Sequence, residues 1–387
     1  MATPLKSTKS LHFPHLDALR GIAALGVLIF HIAFSSALSP VWLSVVSPHI
    51  NTAGHALANG VEVFFVLSGW VIAHSMRRDP LQFSSLTRFL ARRTLRLTPP
   101  YWAALIVTLL MGLVAAHLGS GDSFPPLSKI ALNFLYLQNI FGADNVFSPA
   151  WTLCIEAQFY VVFAVLLCIA GYWGQGASEE DFGNARFPLA MLFFVSALGT
   201  LALAWRWNDA ASFVSWWFYF AGGALGYLAS RDSRLMPLAG IVVAAMAGVS
   251  LRLYSHPVRF DDEGRALLVG TLTLLFLLVA HGRARWTEWG RINVFAWLGR
   301  ISYSLYLTHF GFGVLLARAF RKIVGHHAAL AVGFIVIDMA LCLILAQLFW
   351  RWIEFPSMAW ANGLKLKGDA LRESFGTATW PRPRTSE

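Results

Sequence analysis

Charge is what this sequence most conspicuously lacks. Asp, Glu, Lys and Arg supply 13% of its 387 residues, whereas hydrophobic residues supply 57%. A water-soluble surface carries about twice that share of charge, so a soluble multidomain protein is excluded. Cysteine is scarce too. Cys154, Cys168 and Cys342 all lie in apolar segments, with neither the pairing of a disulfide framework nor the grouping of a zinc site. No P-loop, dinucleotide fingerprint or zincin motif occurs, so no resident metal or cofactor is expected. The formal net charge is +10, but no nucleic-acid-binding motif accompanies it and no nucleic-acid partner is expected.

What the sequence does have is a succession of apolar runs of membrane length. They predict an all-α polytopic membrane bundle of about ten transmembrane helices, near 17–37, 59–76, 99–118, 151–173, 188–205, 213–229, 235–254, 264–281, 299–319 and 329–353. Residues 1–13 form a polar, basic leading segment without the apolar core of a signal peptide, expected to stay in the mature protein. Residues 14–361 form the membrane domain. Residues 362–387, ending "TATWPRPRTSE", are expected to be a disordered tail. No fixed-period repeat or duplicated half is visible.

Lys and Arg set the expected orientation. With the N-terminus inside, the cytoplasmic side receives Arg77, Arg78, Arg88, Arg92, Arg93 and Arg96 in one loop. It also receives Arg231, Arg234, Arg283, Arg285 and Arg291, with Lys365, Lys367, Arg372, Arg382 and Arg384 in the tail. The opposite side keeps Lys129, Arg206, the 252–265 group, Arg318, Arg321 and Lys322. Both termini are therefore expected in the cytoplasm, and the bilayer is the first expected partner.

Against this apolar background a few polar residues stand out. In "LDALRGIAALGVLIFH", Arg20 and His31 are eleven residues apart. That spacing returns to within about 20° of the same helix face and separates them by about 16 Å along the axis. Ionisable groups at such depth usually face a bundle interior or a wet path. Arg20 is equally a snorkelling anchor, with Asp17 its neighbour at i−3, and His31 a hydrogen-bonding link between helices.

In "RFLARRTLRLTPPYW", Arg93 and Arg96 form an i, i+3 pair expected at the cytoplasmic surface, with Pro99 and Pro100 marking the start of the third span. Paired guanidiniums suit phosphate, although a topology-setting basic loop has the same appearance. In "SPAWTLCIEAQFYVVF", Glu156 is expected in the outer half of the fourth span with Tyr160 one turn on. There it is positioned to orient His31, to act as an acid or base, or to bond neighbouring helices. In "LGRISYSLYLTHFGFG", His309 follows Tyr303 and Tyr306 near mid-membrane, with a structural role as plausible as a catalytic one. "GVEVFFVLSGWVIAHSM" adds Glu62 and the Ser68–Gly69 pair, read as a close helix approach rather than a nucleophile.

Taken in order, these five segments resemble the acyltransferase 3 family of integral membrane acyltransferases, over roughly residues 14–355. The resemblance implies transfer of an acyl group, usually acetyl from acetyl-CoA as co-substrate, to a hydroxyl of a carbohydrate or lipid-linked glycan. It implies that His31 is the catalytic base or acyl acceptor with Arg20 its basic companion, and that Arg93 and Arg96 hold the donor. Glu156 joins His31 as a catalytic candidate, and Tyr160 and His309 join the binding residues. A bacterial inner (plasma) membrane location follows. Many relatives carry a fused extracytoplasmic hydrolase-like domain, not found in these residues, which leaves acceptor choice to membrane loops or an extracytoplasmic partner protein. A transporter or flippase for a glycan or anionic solute is the competing reading, since intramembrane charges are ordinary there too.

Overall fold

The computed structural model describes residues 14–75, 83–117, 124–173, 179–207, 212–254, 261–281 and 292–363. Among these residues the secondary structure is helical, without strands. The long elements are α1 (Pro14–Ile29), α4 (Gly60–Ser75), α5 (Phe83–His117), α7 (Ala150–Trp173), α8 (Glu179–Trp207), α9 (Trp217–Arg231), α10 (Met236–Tyr254), α11 (Asp261–Ala280), α12 (Asn293–Val324) and α13 (Ala328–Phe349). Shorter helices α2 (Ser39–Leu43), α3 (Pro48–Ala56) and α6 (Leu127–Phe134) lie in the connections. In hydrocarbon a backbone must satisfy its own hydrogen bonds, and helices do so within one segment.

Eight of the described helical stretches are long and apolar enough to cross a membrane: 14–34, 48–75, 87–114, 150–167, 186–204, 233–253, 263–280 and 328–363. The two other expected spans are present as helices of a different kind. The 213–229 run folds as α9, only 15 residues long, with every residue from Trp217 to Ala229 buried. It is an inner helix, walled by α4, α8, α10 and α11. The 299–319 run folds as α12, 32 residues long, and carries Arg300, His309, Arg318, Arg321 and Lys322.

The expected boundary at Pro99 is also revised. Helix α5 begins at Phe83 and continues through both Pro99 and Pro100. Proline removes a helical N–H, but neighbouring helices in a bundle re-satisfy the backbone. Tyr303 Oη of α12 donates to Leu97 O at 2.8 Å, which pins this part of α5 to its neighbour, while the carbonyls that the prolines leave without a helical donor are those of Leu95 and Arg96. Consequently Arg96 lies 13 residues, or about 20 Å, into α5 rather than in a surface loop.

Two backbone-to-backbone crossings set the frame. A Cβ on Gly69 of α4 would lie 2.0 Å from Phe220 O, and one on Gly223 of α9 would lie 2.1 Å from Val66 O. A Cβ on Gly21 of α1 would lie 2.7 Å from Gly299 N of α12, and one on Gly299 would lie 2.4 Å from Asp17 O. Only glycine allows such approach, the usual route to tight packing where lipid offers no hydrophobic drive. One apolar core gathers around α4 and α7–α11, a second around α1, α12 and α13, and a third joins α5, α7 and α12. The polar residues lie where the three meet.

Candidate active site

Arg20, Arg93, Arg96, Glu156 and Tyr160 line one cavity between α1, α4, α5, α7 and α12, with about 610 Å³ of empty space including its mouth. Arg20 reaches it from α1, and the i, i+3 spacing on α5 delivers Arg93 and Arg96 to one face. Arg93 Cζ stands 5.7 Å from the ring centres of both Phe89 and Tyr160, so its guanidinium is held between aromatic faces. Three guanidiniums facing one cavity make a phosphate-compatible lining.

Glu156 belongs to this arginine group. Its Oε1 accepts a hydrogen bond from Ser68 Oγ at 2.9 Å and another from Tyr160 Oη. The expectation of Glu156 toward the outer side, apart from the arginines at the inside, is therefore corrected. Helix α5 starts earlier than expected and carries the arginines deeper, while α7 brings Glu156 down from its opposite end. Ser68, read from sequence only as a packing residue, is a direct partner of this half-buried carboxylate.

The two histidines form a separate pair. His31 and His309 have ring centres 5.2 Å apart at an interplanar angle of 36°. The parallel α1 and α12 explain this meeting. Counted from the contacting glycines, Gly21 to His31 and Gly299 to His309 are each ten residues, so the rings arrive at one level about 15 Å from the crossing. Phe30 and Phe310 each stand 5.1 Å from the His31 ring. His309 Nδ1 lies 2.9 Å from Leu305 O, its own helix's carbonyl.

Tyr306 joins the two groups. It lines the arginine cavity, exchanges a 2.8 Å hydrogen bond with Thr152 Oγ1, and places its ring 5.9 Å from that of His309. Tyr306 thus stands between the arginine cavity and the imidazoles.

Two functional candidates escape sequence reading. Glu354 is 3% exposed, and its Oε2 accepts from Ser304 N at 3.1 Å and Ser304 Oγ at 2.5 Å. Its charge acts on Arg96 and Arg20. Asp338 is fully buried in α13, with Cys342 Sγ 3.6 Å from its Oδ1. A signal existed for Glu354: an acid in "RWIEFP" after a long apolar run. His31 and Glu354 share a backbone signature, since each sits in a π-helical turn, Phe30–Phe34 and Trp350–Glu354. Single π turns within α-helices are frequent at functional sites. Among the described residues, no group of three or more His, Cys, Asp or Glu side chains is arranged to hold a metal ion.

Sequence comparison fits this arrangement of five motif-bearing helices. The acyltransferase 3 family model, described as an acyltransferase domain, matches residues 13–351. The chain belongs to this family. A provisionally named O-acetyltransferase of Staphylococcus aureus is 26% identical, with 91% of this chain and 58% of that protein covered. The peptidoglycan O-acetyltransferase OatA of Listeria monocytogenes is 22% identical, over 89% of this chain and 56% of its own length. A provisionally named peptidoglycan O-acetyltransferase of Bacillus subtilis is 23% identical, over 91% and 56%. The chain thus spans a little over half the length of the curated relatives it matches. No solved structure matches it. The apolar helices and the family together identify an integral membrane protein.

Proposed function

We propose that this protein is a membrane O-acyltransferase that moves an acyl group, acetyl in the simplest case, from a CoA thioester to a carbohydrate hydroxyl. The observation that carries the reading is the convergence of Arg20, Arg93 and Arg96 with Glu156 on one intramembrane cavity, linked through Tyr306 to the His31–His309 pair. Guanidinium forks match the phosphates of CoA, and the thioester end of a donor held there extends toward the imidazoles. His31, partly exposed where His309 is buried, is the group that deprotonates the acceptor hydroxyl or takes the acyl group itself. In the net reaction the thioester C–S bond breaks and an ester C–O bond forms. The hydroxyl proton leaves on the CoA thiol.

The names of the relatives support an amino-sugar glycan as acceptor. The Lys and Arg distribution supports a multi-pass protein of the bacterial plasma membrane with both chain ends on the cytoplasmic side, where acyl-CoA is made. The arginine cavity then opens toward the cytoplasm and the histidine pair lies toward the outer leaflet. Acceptor delivery falls to the outer loops or to an extracytoplasmic partner protein.

The test uses membranes containing the full chain, radiolabelled acetyl-CoA and chitopentaose as a soluble amino-sugar acceptor. Base-labile label on the sugar is expected with the wild type. It should vanish in His31→Ala protein present at equal level. Equal labelling with and without the protein, or by the His31→Ala variant, refutes the proposal.

A further inference from the structure

We infer that His309 is a positioning residue that orients the His31 ring and fixes which of its nitrogens carries a proton. The inference deepens the acyltransferase reading, on which its kinetic arm rests. A neutral imidazole has one N–H and one bare nitrogen, and the hydrogen bond made by one decides the other. His309 Nδ1 faces Leu305 O at 2.9 Å. A carbonyl only accepts, so the proton is on Nδ1 and Nε2 presents a lone pair.

That lone pair is buried and has no hydrogen-bond partner among the described residues, in a residue only 1% exposed. Leaving such an acceptor unmatched is unfavourable, so it is a place prepared for a donor. The surroundings narrow the choice. Phe310 is apolar, the Tyr306 hydroxyl is engaged with Thr152, and the His31 ring is tilted by 36° with its centre 5.2 Å away. At that separation a rotation of the His31 ring brings one of its nitrogens within hydrogen-bonding reach of His309 Nε2. His31 sits in a π-helical turn, and its ring is partly exposed.

With that rotation the chain runs Leu305 C=O, His309 N–H, His309 bare nitrogen, His31 N–H. It leaves the far nitrogen of His31 bare and pointed away from His309. This is the logic of a catalytic base oriented by a third group, with a second imidazole and a backbone carbonyl in place of a carboxylate. No atom of His309 need touch the acyl donor or the acceptor.

Two substitutions separate this role from a packing role. In His309→Gln the terminal amide reproduces an acceptor near the Nε2 position and loses the link to Leu305. In His309→Asn the amide keeps a donor near the Nδ1 position and loses the acceptor. Acyl transfer is measured with acetyl-CoA and chitopentaose on the full chain in lipid nanodiscs. Gln is expected to keep a tenth or more of wild-type kcat and Asn to lose a hundredfold or more, with KM for acetyl-CoA within twofold in both. The reverse ranking, or equal losses, overturns the inference.

The second measurement needs no acceptor. With ring-15N-histidine, the wild type should give a His309 spectrum with the proton on Nδ1 and a scalar coupling across an N–H···N bond to His31. A proton on His309 Nε2, or two rings without coupling, overturns the inference whatever the kinetics show. Wild-type protein that shows the coupling but transfers nothing to chitopentaose counts against the proposed reaction and leaves the ring pair standing.

Discussion

Glu354 and Ser304 are joined by two hydrogen bonds to one carboxylate oxygen, from the amide at 3.1 Å and the hydroxyl at 2.5 Å. The contact ties the last π turn to the middle of α12 and places an acid beside the arginine group. Glu354→Ala would take away the acceptor of the buried Ser304 hydroxyl, a loss of about 1–3 kcal/mol, while the amide keeps its helical carbonyl. Glu354→Gln keeps an acceptor oxygen and removes only the charge. Thermal unfolding in detergent should show a clear loss for Ala and a much smaller one for Gln. Equal, small losses would mean that the contact contributes little to stability.

Arg93 and Arg96 should carry donor affinity. Charge-assisted hydrogen bonds contribute about 1.5–3 kcal/mol, so Arg93→Ala or Arg96→Ala should weaken acetyl-CoA binding roughly ten- to a hundredfold. Lysine should restore part of it, since an ammonium keeps the charge and loses the planar fork. Calorimetric titration of purified variants with coenzyme A is the measurement. Unchanged affinity would assign the pair to topology instead.

Glu156→Gln tests whether the carboxylate acts in the chemistry. Both of its donors, Ser68 and Tyr160, use the same oxygen, so an amide can keep both contacts. Turnover should fall by roughly a hundredfold, the usual scale for a lost acid or base, while acetyl-CoA binds no more weakly. Loss of binding with preserved turnover of the bound complex would reduce Glu156 to a support for the arginines.

The α1–α12 crossing should matter as much for activity as for folding. A Cβ on Gly299 meets Asp17 O at 2.4 Å, whereas one on Gly333 of α13 meets nothing within 4 Å. Gly299→Ala should destabilise by about 1–3 kcal/mol, as overpacking does. It should also depress turnover, because it shifts α12 against α1 and misaligns His309 with His31. Gly333→Ala should be neutral or slightly stabilising. A fully active Gly299→Ala protein would show that the crossing is not what aligns the rings.

The sequence states which segments are helices and which side of each is polar, but not which helices are neighbours. Apolar runs located the bundle, and Arg20 and His31 both lie on the helical stretch 14–34. Arg20 shares its cavity with Glu156 and His31 meets His309, and no local period encodes those meetings. Pro99–Pro100 misled for a physical reason. Proline lacks the N–H that continues a helix, yet α5 is held in helical form by packing against its neighbours, including the bond from Tyr303 to Leu97 O. The brevity of α9 was hidden as well, since an apolar run looks the same in lipid and in a protein interior.

His31 and His309 are 278 residues apart in the sequence, so the first is made well before the second. A nascent chain therefore holds His31 without its ring partner until α12 packs along α1. Chains that stall or are cut before that step lack both the ring pair and the α12 wall of the arginine cavity, so both parts of the candidate site await the same helix. Supplying the missing C-terminal helices as a separate polypeptide is a direct way to watch the centre assemble.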